Sequence, residues 1–422
     1  MAPWTRIALA GLTFVVTVEL GSRLVIALDV GRSVTESVAP NVLTATGTPI
    51  AEQVNALTDT HTIGERLHPF VGYLPALTHV RAEGPITLAA QREAHAPGSP
   101  LFSRDPEDLI VGIAGGSVAY QFALYGGGTA LAEHLAAQAE FRGRRPHIVV
   151  LAAVGMKQPQ HALWLAYLLT LGARFDLVVS LDGFNEVAMH ATENEPYGVS
   201  PVYPRYWMQR VGPAVAAPLL GERLYLVARR ADIVRSFLGS PAQHSGAAQL
   251  VWLLRDQAAR RAIEDVEGRL RGLQRFEDLE FATQGPVLAG ATQSELADFQ
   301  AAIWRGAALQ MHRNAAANGA RSYHFLQPNQ YDPGSKPLSA SERAAAYTAG
   351  HRYGKHVPEG YPRLRAAGAE LAAEGVRFHD LTRVFEAVTE DLYVDDCCHL
   401  NQAANLRLAA AIAEAIESWG GR

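Results

Sequence analysis

The sequence predicts an α/β fold: a three-layer α/β/α sandwich with a mostly parallel five-stranded sheet and a large helical insertion. Three observations predict it. Short apolar runs of strand length alternate with longer segments of helical periodicity, which is typical of chains built from strand–helix–strand units. The apolar runs are continuous rather than alternating, as in parallel strands buried on both faces. With 48% hydrophobic and 19% charged residues among 422, the composition is that of a globular protein.

The individual elements follow from the same patterns. Five strands are predicted from runs of Val, Ile, Leu and Phe: 109–114, 147–154, 176–181, 321–326 and 376–380. Helices are predicted from apolar residues at helical spacing: 118–139 with an interruption at 126–128, 158–171, 295–318, 361–374 and 402–419. Because helices separate most of the strands, the strands are expected to run parallel.

The segment between the third strand and the helix at 295 interrupts this alternation. It is far longer than the usual connection of about 2–6 residues. We therefore predict an insertion at about 190–294, with a charged amphipathic helix over 248–273. Because the insertion leaves the carboxyl end of a strand, where open α/β sheets bind ligands, we expect it to shape a substrate site.

The N-terminal segment is the most apolar part of the chain. Residues 1–30 are long enough to cross a membrane as a helix, although Glu19 and Arg23 interrupt the apolar run. We predict an uncleaved signal-anchor here, with a cleaved signal peptide and a buried N-terminal helix as alternatives. Residues 31–66 show no clear periodicity and are predicted to form a spacer, which leaves 67–422 as the body of the protein.

Charge and cysteine content exclude several kinds of function. The 37 basic and 42 acidic residues give a net charge of −5 without a basic block, which argues against nucleic-acid binding. The two cysteines, Cys397 and Cys398, are adjacent, which excludes a disulfide framework and the spaced-cysteine zinc motifs. We predict no metal site and no cofactor.

A glycine-rich turn follows the first predicted strand. It reads Gly-Ile-Ala-Gly-Gly-Ser-Val-Ala over 112–119. A serine at such a strand-to-helix turn presents its hydroxyl above the sheet, beside the backbone N–H groups that open the helix. The glycine spacing differs from that of a dinucleotide-binding loop, and no lysine follows as in a P-loop. Ser117 is therefore a candidate nucleophile, although small residues at such turns often serve only packing.

Two further turns follow the second and third strands. Gly155 could present its N–H, and Asn185 its side-chain amide, to an oxyanion that forms when Ser117 attacks a carbonyl. Each has a simpler alternative: Gly155 as a plain turn glycine and Asn185 as a loop-capping residue.

A C-terminal loop supplies the remaining chemistry. Asp396 and His399 lie three residues apart just before the last predicted helix. This spacing allows the carboxylate to hold one imidazole nitrogen while the other faces the serine. Asp395, four residues before His399, is the alternative carboxylate, and both cysteines lie between the acidic pair and the histidine.

In these motifs the chain resembles the SGNH (GDSL-like) hydrolase superfamily of its membrane-anchored bacterial type. The resemblance covers about 107–420 without the insertion and implies a flavodoxin-like sheet. It implies that Ser117 is the nucleophile, His399 the base and Asp396 the orienting carboxylate, and that Ser117, Gly155 and Asn185 form the oxyanion hole. The sequence departs from the usual Gly-Asp-Ser by having Gly116 before the serine.

The resemblance also implies the class of reaction. It indicates an esterase that acts on an acylated small molecule, glycan or lipid, with 67–422 as the catalytic domain and no cofactor. An O-acetyltransferase and a catalytically silent glycan-binding module are the alternatives. With the N-terminal anchor, we expect a protein of the bacterial cell envelope whose catalytic domain lies outside the cytoplasm. Tyr197, Tyr203 and Trp207 are candidates for substrate contacts, or else for a small core of the insertion.

Overall fold

The chain forms two compact units in a computed structural model. The described residues are 3–29, 65–75, 84–95, 98–102, 105–211, 217–238, 240–271, 283–286 and 290–420. One unit comprises 1–66 and 212–274, and the other comprises 67–211 and 275–422. The predicted insertion at about 190–294 is therefore divided between the two units. Its two ends belong to the larger unit, and 212–274 belongs to the smaller one. The predicted spacer over 31–66 lies outside the described residues except for its last two.

The larger unit is organised by a parallel sheet of six strands, not five. The strands of the described residues are β1 (Glu65–His68), β2 (Gly72–Pro75), β3 (Ile86–Leu88), β4 (Asp108–Gly115), β5 (Arg145–Ala152), β6 (Leu177–Asp182), β7 (Arg321–Leu326) and β8 (Arg377–Asp380). The six-stranded sheet has the order β3-β5-β4-β6-β7-β8, and β1 and β2 form a separate pair. The additional edge strand, β3, has only three residues, which is too short for an apolar run to reveal it.

In the ranges that the structure describes, the helices are α1 (Pro3–Asp29), α2 (Ser117–Leu124), α3 (Gly127–Ala137), α4 (Gln160–Thr170), α5 (Phe184–Ala188), α6 (Trp207–Val211), α7 (Ala217–Leu238), α8 (Gly246–Arg271), α9 (Gln293–Ala317), α10 (Ala340–Ala346), α11 (Val357–Ala373) and α12 (Gln402–Gly420). Single turns of 3-10 helix lie at 92–95, 100–102, 139–141, 195–197, 241–244 and 354–356, and a π-helical turn lies at 190–194.

Apolar cores lie on both faces of the sheet. Successive residues of a strand point to opposite faces, and accordingly Val111 of β4 belongs to one core and Ile110 to the other. Helices α2, α3, α11 and α12 contribute to the core that contains Val111. Helix α4 contributes Trp164 to the opposite core, and α9 contributes to both. These layers agree with the predicted three-layer sandwich.

The strand order determines where a ligand site is expected. The five predicted strands, β4 to β8, have the spatial order 2-1-3-4-5, which is the flavodoxin-like order. In such sheets ligands bind beyond the carboxyl ends of the strands, where the order reverses. Here that point lies between β4 and β6, the strands that precede Ser117 and Asn185.

The smaller unit contains α1, α7 and α8. Glu19 of α1 accepts a hydrogen bond from Ser245 Oγ at 2.8 Å and another from the backbone N–H of Gly246, at the start of α8. Its carboxylate also pairs with Arg23, one turn further along α1, at 2.8 Å. The acidic residue within the apolar segment is therefore held by defined partners. Within the described ranges, no helix combines the length and the apolar character needed to cross a membrane.

Candidate active site

Ser117 is the first residue of α2 and follows β4, the strand between β5 and β6. Its side chain is buried. Gly115, with φ of +154°, allows the sharp turn from strand to helix, because a Cβ there would lie 2.2 Å from the carbonyl oxygen of Leu181. The turn therefore requires a residue without a side chain, and it places the serine above the centre of the sheet edge.

Gly116 brings the serine turn against Asn185. A Cβ on Gly116 would lie 2.2 Å from Asn185 Nδ2 and 3.1 Å from the carbonyl oxygen of Met156. Asn185 donates a hydrogen bond from Nδ2 to that same carbonyl at 2.8 Å. The absence of a side chain at Gly116, where the sequence departs from Gly-Asp-Ser, is thus what lets the Asn185 amide approach the serine turn.

Glu186 connects the turns that carry Gly155 and Asn185. Its carboxylate accepts hydrogen bonds from the backbone N–H of Gly183 at 2.9 Å and of Gln158 at 2.8 Å. Burial, followed by the neighbouring charge of Asp182, raises the pKa of the Glu186 carboxyl. Because one side chain holds both turns, their relative position is fixed.

The Gly155 turn lies beneath the side chain of Arg205. Gly155 has φ of +67°, and a Cβ there would lie 2.1 Å from Arg205 Nη1. Arg205 is buried and donates to Glu193 at 2.8 Å. Two residues after Gly155, buried Lys157 donates to the carbonyl oxygens of Pro201 and Tyr203. Lys157 therefore holds the segment with Pro201 and Tyr203, part of the predicted insertion, against the Gly155 turn.

The three aromatic residues predicted to contact the substrate, Tyr197, Tyr203 and Trp207, have different surroundings. Tyr203 packs edge-to-face on Trp207, with ring centroids 6.0 Å apart, and its carbonyl oxygen accepts from Lys157 Nζ at 2.8 Å. Tyr197 ends a 3-10 turn, and its carbonyl oxygen is 3.5 Å from Gln284 Nε2. Lys157 thus connects the backbone of Tyr203 to the Gly155 turn. That any of the three aromatic residues contacts a substrate stays a prediction.

The loop before α12 corrects the predicted carboxylate. His399 Nδ1 is 2.5 Å from Oδ2 of Asp395, not of Asp396. The other carboxylate oxygen of Asp395 accepts the backbone N–H groups of three successive residues, Cys397, Cys398 and His399, at 3.0–3.2 Å. This set of donors orients Asp395 toward the imidazole.

Asp396 is directed to different partners. Its Oδ2 accepts from Thr348 Oγ1 at 2.9 Å, and its Oδ1 lies 3.8 Å from His351 Nε2. The loop is not a helix, so a spacing of three residues does not bring the Asp396 side chain onto His399.

The electrostatics of Asp395 fit the role of an orienting carboxylate. Burial alone would raise its pKa. The charge of His399, the hydrogen bond to its ring and the backbone N–H donors outweigh burial and hold the pKa of the Asp395 carboxyl well below its usual range. Asp395 is therefore ionised at neutral pH and, by accepting from Nδ1–H, favours the tautomer in which Nε2 is the basic nitrogen.

Cys398 connects this loop to the serine. Burial raises the pKa of the Cys398 thiol well above its ordinary value, while the neighbouring Ser117 side chain lowers it. The side chain is 1% exposed. Ser117 thus lies close to the residue that immediately precedes His399.

A segment after β7 holds the loop and could not be identified from the sequence. Side chains of three successive residues donate to three successive carbonyl oxygens of the loop: Gln330 to Asp395 at 2.9 Å, Tyr331 to Asp396 at 2.7 Å and Asn329 to Cys397 at 3.5 Å. Burial raises the pKa of Tyr331 to about 12, so its hydroxyl remains a donor at neutral pH. The only signal in the sequence is a polar stretch at the end of a strand.

One group of described residues has ligand types suited to a metal ion. His161, Asp182 and Glu186 offer ligand atoms within 4.8 Å of one another, and all three are buried. Asp182 already contacts four side chains: His161 at 3.3 Å, His324 at 2.8 Å, Trp304 at 2.7 Å and Gln158 at 3.1 Å. A cation would have to replace these hydrogen bonds and those of Glu186. The residues fit a hydrogen-bonded network that fixes the end of β6.

These features together define a class of site. A serine opens a helix at the carboxyl end of a central strand of a parallel sheet, an amide and a glycine turn flank it, and a loop with an Asp–His pair brings a buried thiol close to it. Such an arrangement has the parts of a serine nucleophile with its base.

No protein-family model and no curated protein matches the chain. Among solved structures, Est24, a carbohydrate acetylesterase from Sinorhizobium meliloti, is similar with a TM-score of 0.32 and 12% sequence identity, over 74% of this chain and 99% of that chain. A similarity of this size assigns neither a fold nor an activity, so the functional conclusion depends on the geometry of the chain's own residues.

Proposed function

We propose that the protein is a serine ester hydrolase of the SGNH type that forms an acyl-enzyme on Ser117. The observation that carries the proposal is the proximity of Ser117 to the loop of the Asp–His pair. Burial raises the pKa of the Cys398 thiol and the nearby Ser117 side chain lowers it, and the next residue, His399, is held by Asp395 at 2.5 Å.

The proposed reaction assigns one task to each group. Ser117 Oγ attacks the carbonyl carbon of the ester, and its proton passes to His399 Nε2, which then protonates the departing alcohol. Water attacks the acyl-enzyme by the same route, with His399 again as the base, and releases the carboxylic acid. Asp395 acts as a positioning residue that keeps the proton on Nδ1 and stabilises the imidazolium.

The proposed oxyanion hole contains the N–H groups of Ser117 and Gly155 and the amide of Asn185. Its support is the proximity of the turns: Asn185 Nδ2 binds the carbonyl of Met156, the residue after Gly155, at 2.8 Å. An amide nitrogen has two hydrogens, so a hydrogen bond to Met156 leaves one that can be directed at an oxyanion.

The substrate and location belong to the same proposal. An acylated glycan or lipid of the bacterial cell envelope is the substrate that the sequence resemblance favours. O-acetyl transfer to a sugar hydroxyl would use the same acyl-enzyme, since it differs only in the acceptor.

A fluorophosphonate probe tests the proposal. We expect the probe to label the wild type at Ser117, located by peptide mapping, and not to label Ser117→Ala. Ser418→Ala, which removes a serine near the end of α12, should label like the wild type. An unlabelled wild type, or equal labelling of Ser117→Ala, would contradict the proposal and favour a binding module.

Acetate release and acetyl transfer, measured over aryl acetates and acetylated sugars, then identify the acceptor. Release of acetate to water without transfer supports the hydrolase. Transfer to an added sugar in preference to water would assign the protein as an O-acetyltransferase with the same nucleophile.

We predict that Gly116→Ala lowers kcat for an aryl acetate by roughly 10²–10³, the effect of losing one oxyanion donor. The new Cβ would stand 2.2 Å from Asn185 Nδ2 and must displace the amide. Gly306→Ala is the matched control, because nothing lies within 4 Å of its Cβ position in α9, and it should keep full activity. If Gly116→Ala is fully active while Asn185→Ala is not, the steric argument is wrong.

A further inference from the structure

The adjacent cysteines occupy a position that the proposed reaction does not use. Cys398 is buried, Cys397 is half-buried, and their Sγ atoms are 3.4 Å apart. A disulfide needs about 2.05 Å between the sulfurs. The two sulfurs can thus meet if both side chains and the peptide between them rotate.

The two cysteines interact with Asp395 and lie close to Ser117. Burial raises the pKa of the Cys398 thiol, and the neighbouring Ser117 side chain lowers it. The backbone N–H groups of Cys397 and Cys398 donate to Asp395 Oδ1 at 3.0 and 3.1 Å, next to the N–H of His399. A change in the conformation of the pair therefore affects the nucleophile and the carboxylate together.

We propose that Cys397 and Cys398 form a redox modification site, at which closure of a disulfide between them inactivates Ser117. Closure removes the thiol hydrogen of Cys398 and draws its sulfur toward Cys397, away from Ser117. It also rotates the peptide that joins the two residues, so that the N–H group of Cys398, which belongs to this peptide, leaves Asp395. The inactivation rests on the proposed function, whereas the formation of the disulfide does not.

The oxidant is a small-molecule disulfide. The exposed part of Cys397 allows its thiolate to attack one sulfur of the reagent, which releases one thiol and leaves a mixed disulfide on Cys397. Cys398, as its thiol loses its proton, attacks Cys397 Sγ and releases the second thiol. In sum, two cysteine thiols are oxidised to one disulfide and the reagent is reduced to two thiols.

The geometry of neighbouring residues makes this modification reversible. Adjacent Cα atoms are about 3.8 Å apart across a trans peptide, whereas disulfides usually join Cα atoms about 4.4–6.8 Å apart. The ring is therefore strained, and strained disulfides are the more easily reduced ones. Excess dithiol should restore the reduced site.

Oxidised glutathione, followed by dithiothreitol, tests the proposal on the full-length protein. Peptide mass spectrometry under non-reducing conditions measures the disulfide as the loss of two hydrogen atoms from the peptide with both cysteines. Fluorophosphonate labelling of Ser117 is measured on the same samples. We expect labelling to fall in proportion to the fraction of disulfide and to return after reduction. Cys397→Ser, which cannot close the ring, should keep its labelling in oxidised glutathione.

The outcomes separate the two proposals. Mixed glutathione adducts without an internal disulfide, or a complete disulfide with unchanged labelling, would overturn the redox site while the esterase proposal stands. Loss of labelling in Cys397→Ser would also overturn it, because the ring would not be the cause. If the reduced wild type is never labelled, the esterase proposal fails, and the mass measurement alone then decides whether the disulfide forms.

Discussion

Asp395→Asn is expected to lower kcat for an aryl acetate by roughly 10⁴, the cost of holding a catalytic histidine in the wrong tautomer. An asparagine oxygen can still accept the loop N–H groups that Asp395 Oδ1 accepts at 3.0–3.2 Å. The amide nitrogen would then stand at 2.5 Å from His399 Nδ1 in place of Oδ2 and would donate to it. Nε2 would carry the proton and could not act as a base.

Asp396→Asn is the matched control, since it makes the same chemical change at the neighbouring residue. Asp396 accepts from Thr348 at 2.9 Å, a hydrogen bond near the surface that contributes about 0.5–1.5 kcal/mol. We expect a loss of at most about tenfold, because each 1.4 kcal/mol corresponds to a factor of ten.

Steady-state kinetics of both variants distinguish positioning of the base from damage to the fold. Asp395→Asn should lower kcat with little change in KM, and its unfolding midpoint should stay close to that of Asp396→Asn. Equal losses in the two variants, or a larger loss for Asp396→Asn, would show that Asp396 orients His399 after all.

The sheet could be predicted from the sequence because its strands are buried on both faces. Each of the five apolar runs overlaps an observed strand, and β7 coincides with the predicted 321–326. The sixth strand, β3, could not be predicted, since its three residues pair with Ile148, Val149 and Val150 of β5 and contain no pattern of their own. Helix α7 in the insertion also has no counterpart among the predicted elements.

The predictable part of the candidate site consists of residues whose positions follow from the order of the strands. Ser117, Gly155 and Asn185 follow three neighbouring strands, and the ends of parallel strands meet at one edge. The choice between Asp395 and Asp396 depends instead on three backbone N–H groups that converge on one carboxylate. The donors Gln330 and Tyr331 lie far from this loop in sequence, and only the packing of the folded chain brings them together.

Glu342→Gln is expected to lower the free energy of unfolding by about 3–5 kcal/mol, the cost of leaving a buried charge without its partner. Glu342 Oε2 is 2.5 Å from Lys336 Nζ, and both side chains are fully buried. The other oxygen, Oε1, accepts the backbone N–H groups of Leu392 and Tyr393 at 2.8 Å each, just before the loop with Asp395. A glutamine has the same shape but only one oxygen. Either its NH2 group faces Lys336, or its oxygen faces Lys336 and its NH2 group cannot accept the backbone N–H groups of Leu392 and Tyr393.

Denaturant titration of two further variants shows whether the lost ion pair is the cause. Glu390→Gln makes the same change in an exposed pair with Arg407 and should cost about 0.2–1 kcal/mol. Lys336→Met combined with Glu342→Gln removes the uncompensated charge and should recover part of the loss. If the double variant is no more stable than Glu342→Gln, the backbone hydrogen bonds to Leu392 and Tyr393 would be the main contribution of Glu342. A loss no larger than that of Glu390→Gln would show that Glu342 does not hold this loop.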